Sequence, residues 1–568
     1  MSNFHPIVIR DEKIQDITTD LPLELRKGAK QNTYKKLLAD TATTSNISFS
    51  IPMVKATVTD RTVKLKTSFE LTLNVPVGVA VGTRCFHYGV TEALSAFPLN
   101  SMVTNANLTV NYQSITVDTQ NIMGPLLKMH DQDEFSEFNC PTMIDQKMAK
   151  FSDMTLTGTD PLASYTASKS VNPSRGSHPL DRFTITRNTN GVMSAIATQN
   201  STQVEIDDAC TSTSLANDSW VIVLGVTTVE PLLFMSPLIY GKTSNNAGFH
   251  GVQAMSIDLQ LDPSAKRAFS SATTVGMNIA LTNMIKCEVI LNTLTVQDSD
   301  IIASKTVLPY TSYNRYLTNL TAIGIGANAT GTFESNSLNI SSIPNKLFIC
   351  IRKKIGSQTI KDTDSFVPIT NIAVSLNNLP SILNTATQDD LYKISRNNGS
   401  KQLINEFFGY ASVPNGKIAP TIGSILVLDP VIDFGLEEYL TSGSTGSYNF
   451  QVAGSYKNNL DTEIQNVELL IIAQNDGLFI TENERSTVQT AVFTKTDVAK
   501  ASVAQFGESR SYVRQFGNGP SVMNVPLLNV DKGDMSGSGV RSGGVRSGGS
   551  KTVGDYARSA RSHLVSGL

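Results

Sequence analysis

The chain has 568 residues, 40% hydrophobic and only 17% charged, with a formal net charge of −3. This balance excludes a largely disordered polymer, which needs low hydrophobicity and high net charge. It also excludes a protein that binds nucleic acid over its whole surface, so any such role sits in a local segment. At roughly 100–200 residues per domain the length predicts two to four domains.

Residues 1–45 mix charges with a short helical pattern, Tyr34 to Leu38 (YKKLL), and read as an arm that docks on a neighbour. The start, MSNFHPIVIRDEK, lacks the basic and apolar regions of a secretory signal. From Ile47 the period becomes two. In TVKLKTSFELTLNVPV (62–77), Val63, Leu65, Phe69, Leu71 and Leu73 alternate with polar residues, as in half-buried strands. Further strands are predicted at Leu108–Val117, Phe183–Arg187, Val204–Ile206, Trp220–Thr228, Val252–Leu261 and Ile279–Val296. Gly, Pro, Asn and Ser fill connections such as PSRGSHP and TSNNAG. The connection from Asn121 to Asp181 is long, and long excursions usually carry contacts or function.

A second strand set starts near residue 305. It runs through Ser337–Ile340, Lys346–Arg352, Ile369–Leu376, Gly423–Leu428, Tyr448–Tyr456 and Val467–Ile472. Each set suffices for a sandwich, so the fold class is all-β with two tandem sandwiches, at 46–303 and 304–485. Between these strands, SILNTATQDDLYKISRNNG (381–399) reads as a capped helix. Thr387 is its N-cap, Asp390 completes a capping box, and Leu391 and Ile394 form an apolar edge. Leu403/Phe407 and Ile404/Phe408 continue as a second short helix. Leu391, Ile394, Phe407 and Phe408 either plug the end of their own sandwich or form the wall where subunits meet.

The terminal arm, 486–568, ends in a flexible Gly/Ser segment with a repeated GVRSGG unit. Beyond residue 540, Arg541, Arg546, Lys551, Arg558 and Arg561 stand against a single acid, Asp555. These five residues are candidate contacts to packaged nucleic acid. The bland alternative is a solubilising tail.

No catalytic constellation emerges. The six histidines form no metal-ligand pair, and the cluster 130–134 (HDQDE) lacks the spacing of a calcium loop, so it reads as a solvated charged loop. Cys85, Cys140, Cys210, Cys287 and Cys350 are isolated and odd in number, which points to reduced, buried thiols. The longest apolar runs, such as WVIVLGV (220–226), fall far short of the ~20 residues of a membrane span. No cofactor, metal or small-molecule substrate is expected, and the chain is not read as an enzyme.

An ordered set of segments carries a resemblance. SLNISSIPNKLFICIRK (337–353) precedes the stretch 366–409, with its PSILNTATQDDLYKISRNNG core. GSILVLDPVIDFGLEEYLTSGSTGSYNFQVAGSYKN (423–458) follows. In the first block, FPLNSMVTNANLTVNYQSITVDTQNIMGPLL (97–127) belongs to the same set. This order resembles the major capsid proteins of polinton-like viruses, adintoviruses and virophages, over roughly residues 60–480. Where that family often has tryptophan after the NG turn, Phe407 and Phe408 stand here.

The resemblance implies a double jelly roll with flexible terminal arms. It implies a homotrimeric, pseudo-hexagonal capsomer that tiles an icosahedral shell with its neighbours around double-stranded DNA. Partners would include vertex penton and minor capsid proteins, and the protein would reside in the virion. The string MSGSG (535–539) matches the M-x-G-x-G pattern of adenovirus-type maturation proteases, with cleavage between Ser538 and Gly539. The competing function is a β-sandwich adhesin or fibre-type carbohydrate-binding module. It would need aromatic platforms or calcium loops, and the single Trp and absent loop speak against it.

Overall fold

The computed structural model describes residues 29–490 except 54–56, 77–91, 131, 136–137, 139–179, 190, 199–217, 242–246, 272–277, 298–304, 321–324, 361–365, 378, 414–416, 437–440, 460–462 and 483. The predicted strand at Val204–Ile206 and the tail residues beyond 490 lie outside the described residues.

Eight of the described strands frame the first sandwich: β1 (Gln31–Leu38), β2 (Asn46–Pro52), β3 (Lys64–Val75), β4 (Val103–Val110), β5 (Gln113–Val117), β6 (Asp218–Pro231), β7 (Ala254–Leu261) and β8 (Asn278–Thr295). One sheet runs β1-β8-β3-β6 and is extended by the hairpin Arg182–Thr189/Val192–Thr198. The other runs β2-β7-β4-β5. First strand beside last, third beside sixth, is the order of a chain wound as nested hairpins, the jelly roll.

The second sandwich repeats that order with β9 (Lys305–Asn319), β10 (Leu338–Ser342), β11 (Lys346–Lys353), β12 (Ile369–Leu376), β13 (Leu379–Ile382), β14 (Ile425–Leu428), β15 (Thr445–Lys457) and β16 (Val467–Glu482). Here the sheets run β9-β16-β11-β14 and β10-β15-β12-β13. A short strand, Thr330–Glu334, also pairs with β15 ahead of β10. Among the described residues five helices sit in the connections: α1 (Pro98–Met102), α2 (Thr119–Leu127), α3 (Gln388–Asn397), α4 (Ile404–Phe407) and α5 (Pro430–Asp433).

Alternation explains most of the first sandwich. Along β3 the side chains of Leu65, Phe69, Leu71, Leu73 and Val75 are buried, while Lys66 and Asn74 are exposed. Two expectations fail there. Gln31–Leu38 is not a helical piece of a terminal arm. It is β1, paired antiparallel with β8 from Gln31↔Thr295 to Leu38↔Glu288. A single helical turn of apolar spacing cannot outweigh a full ladder of interstrand hydrogen bonds. The predicted strand Leu108–Val117 is instead a hairpin, turning at Asn111 and Tyr112, which both have positive φ (45° and 70°). Asn111 suits such a turn, and its side chain is fixed by accepting from Gln253 N (2.8 Å) and donating to Gly251 O (2.9 Å).

Candidate assembly surfaces

The two sandwiches meet along a seam whose main element is the β9-β16-β11-β14 sheet, buried on both faces. Leu347, Ile349, Ile351, Leu426, Leu428, Leu469 and Ile471 face the core of the second sandwich. The alternate residues Phe348, Cys350, Ile425, Val427, Leu470 and Ile472 point the other way and join the core of the first. Double burial requires apolar residues at consecutive positions rather than alternate ones, hence the runs LFICI, ILVL and LLIIA. Each large side chain so buried contributes about 1.5–3 kcal/mol. Burial lifts the Cys350 thiol to about 12 and Cys287 to about 11, so both stay protonated and inert.

Polar contacts fix the alignment of this seam. Arg352 Nε donates to Glu468 Oε1 at 3.0 Å, with both side chains almost fully buried. The same guanidinium donates to the side-chain oxygen of Asn121 in α2, across the seam. Arg315 on β9 pairs with Asp118 just before α2. Thr311 N donates to Ser236 Oγ (3.0 Å), and Thr306 Oγ1 meets His250 Nε2 at 2.7 Å. The Tyr313 and Tyr240 hydroxyls share a hydrogen bond, and burial pushes Tyr240 up to about 12. The rings of Phe249 and Phe479 meet edge to face at 6.0 Å.

On the first-sandwich side, α1 is held by an acid from β6. Glu230 is completely buried. Its carboxylate accepts from Leu99 N (2.8 Å), Asn100 N (3.0 Å) and Asn100 Nδ2 (2.8 Å), so it satisfies backbone donors that the first helical turn leaves open. Burial raises its pKa above the usual 4.5, and these hydrogen bonds oppose the rise. A carboxyl raised in the folded state binds its proton more tightly there than when unfolded. Its contribution to stability is therefore complete at low pH and declines as pH climbs from about 4.5 through the raised value. Melting temperatures across pH should show this decline in the wild type and lose that component in Glu230→Gln. Parallel curves for the two proteins would refute it.

The residues expected at a subunit wall divide. The helix is present, and its capping box forms: Asp390 N donates to Thr387 Oγ1 (3.4 Å) and Thr387 N donates to Asp390 Oδ2 (3.1 Å). The Thr387 hydroxyl, which donates to Asp390 Oδ2 at 2.7 Å, and after it Thr387 N hold the Asp390 carboxyl below its ordinary range. Leu391 and Phe407, however, are fully buried in the core of their own sandwich, and Ile394 packs partly against it. Phe408 is half-buried, its ring 6.5 Å from Phe407 and 6.3 Å from Tyr410. Leu391 and Phe407 thus plug the sandwich and are not available to a neighbour. The outward side of α3 carries Asp389, Lys393, Arg396 and Asn397.

Exposed apolar side chains lie elsewhere. Tyr34 and Leu38 stand on the edge strand β1, Ile285 on β8, and Leu403, Ile404 and Tyr410 around α4. Of the cluster at 130–134, His130 and Glu134 are partly buried: His130 Nδ1 meets Glu134 Oε2 at 2.6 Å, and the imidazole ring packs against Phe135, Phe234 and Tyr240. Among the described residues no group of three His, Cys, Asp or Glu is placed to hold a metal ion. Ser538, Gly539, Arg541, Arg546, Lys551, Arg558 and Arg561 lie outside the described residues. Sequence reasoning missed the Arg352–Glu468–Asn121 group. Its signal was a charge of each sign set within otherwise apolar runs, in KLFICIRK and VELLIIA.

Comparison with known proteins converges on one family. A family model described as the first domain of the Sputnik virophage major capsid protein matches residues 2–305. A second, described as the C-terminal domain of major capsid protein V20, matches residues 313–477. Capsid protein V20 of Sputnik virophage is 23% identical over 498 residues, which cover 84% of this chain and 78% of that protein. The fold is similar to a chain of the 3.5 Å cryo-EM structure of Sputnik virophage, with a TM-score of 0.70 and 20% identity over 88% of this chain and 97% of that one. It is also similar to the crystal structure of the mavirus major capsid protein, with a TM-score of 0.62 and 15% identity over 88% and 99%. The two family models together span both sandwiches, and the chain belongs to the virophage major capsid protein family.

Proposed function

We propose that this capsid protein assembles as a homotrimer of pseudo-hexagonal outline that tiles an icosahedral shell around double-stranded DNA, with separate proteins at the vertices. The supporting observation is the repeated strand order of two sandwiches joined through one buried sheet. One chain then supplies two like blocks held as a unit, and three copies related by a three-fold axis supply six. Closed symmetric assemblies multiply modest contacts. A surface with few charges suits such contacts, because charge is depleted in interface cores. Mass photometry of the purified protein should give three times the chain mass of 61.3 kDa, and negative-stain images should show hexagonal outlines. Elongated monomers that bind glycans would favour the adhesin reading instead.

The tail carries two proposals that exclude one another in the mature particle. Cleavage after Ser538 removes Arg541, Arg546, Lys551, Arg558 and Arg561 from the shell protein. Retention leaves them free to neutralise genome phosphates. The intact mass of the protein from mature particles decides: a full-length mass ends the cleavage proposal, and a product ending at Ser538 ends the genome-contact proposal.

A further inference from the structure

A cleft of about 360 Å³ opens at the seam, with walls from both sandwiches. Lys266 and Arg267 reach it from the turn that follows β7, and Lys354 from the segment that follows β11. Gln120 and Asn121 bring the first turn of α2 to the same cleft, and helix starts favour negative charge.

The two carboxylates on the lining are already engaged. Asp262 accepts from Ser264 N (2.9 Å) and Ser264 Oγ (2.7 Å). Glu468 is neutralised from behind by Arg352. The ammonium groups of Lys266 and Lys354 differ: neither has a hydrogen-bond or ion-pair partner among the described residues. Cations are thus brought to one polar cavity by both sandwiches, in excess over acids that are spoken for.

We propose that this cleft binds a phosphate-bearing anion, held between Lys266 of the first sandwich and Lys354 of the second. Charge-assisted hydrogen bonds from lysine and arginine to phosphate oxygens are the strong kind. The cavity is at the small end of the roughly 300–1,000 Å³ range of ligand sites. It therefore suits inorganic phosphate, pyrophosphate or one exposed backbone phosphodiester, not a large organic ligand. An anion clamped from both sides ties the sandwiches together and raises stability by mass action. The proposal stands apart from the assembly proposed above, since it concerns a single chain.

The test uses full-length protein and sodium pyrophosphate at constant ionic strength, read by calorimetric titration and by melting temperature. Saturable binding with a rise in melting temperature is expected. In the double variant Lys266→Ala/Lys354→Ala, binding should weaken tenfold or more. Lys266→Arg/Lys354→Arg should retain it, which separates loss of the site from loss of the fold. A short DNA duplex is then added as competitor. Displacement of pyrophosphate in the wild type supports the site and assigns its phosphate to nucleic acid. Binding without displacement supports the site and assigns it to free phosphate. Absence of saturable pyrophosphate binding, or equal binding by the double alanine variant, overturns the proposal.

Discussion

Arg352→Met should destabilise the protein by about 3–5 kcal/mol, because it leaves the Glu468 carboxylate buried without its partner. The same change strips the side-chain oxygen of Asn121 of its donor, so the loss is felt on both sides of the seam. Attraction between the charges is not the source of this effect. Removing both charges with Arg352→Met/Glu468→Leu should recover most of the loss, since buried pairs replaced by apolar residues are often neutral or stabilising. Recovery should stay incomplete while Asn121 remains unsatisfied. Urea unfolding offers two probes. Trp220, the only tryptophan, is buried in the first sandwich and reports on it by fluorescence. Far-ultraviolet circular dichroism reports on both sandwiches. One continuous core across the seam predicts coincident transitions in the wild type. A single variant within about 1 kcal/mol of wild type would sink this account, since that is the range of an exposed pair.

The seam also marks the limit of what the sequence made legible. Strands of the first sandwich announced themselves by alternation, because one face of each sheet is wet. The doubly buried strands announced themselves as apolar runs. Neither pattern says which block covers the second face, and Arg352 and Glu468 are 116 positions apart. β1 was hidden for the opposite reason. An edge strand pairs on one side only, and QNTYKKLL has too little buried surface to show a period, with Tyr34 and Leu38 exposed. The hairpin at Asn111–Tyr112 lacked the glycine that usually betrays such a turn. For the candidate wall, capping box and apolar edge were both readable from SILNTATQDDLYKISRNNG. Spacing defined the face of α3 but left open whether the chain itself or a neighbour covers it.

That distinction gives the last expected result. Leu391→Ala should destabilise the isolated protomer by about 2–5 kcal/mol, the range for emptying a fully buried leucine site. Leu391→Asp should abolish soluble protein, since an unpaired carboxylate would replace the side chain in that core. Had Leu391 formed a subunit wall, either change would give a stable protomer that fails to associate. Thr387→Ala removes only the cap and should cost about 1 kcal/mol. The outward side of α3 is then testable without disturbing the core. Lys393 is largely exposed, its nearest acid Asp390 at 3.9 Å, so Lys393→Glu should leave the protomer's melting temperature within about 0.5 kcal/mol of wild type in free-energy terms. If α3 faces a neighbour, that variant lowers the yield of trimers or shells at unchanged stability. If yield and stability both stay at wild-type values, α3 only closes its own sandwich, and the contacts between subunits lie elsewhere, with the exposed apolar side chains of β1, β8 and α4 as the next surfaces to substitute.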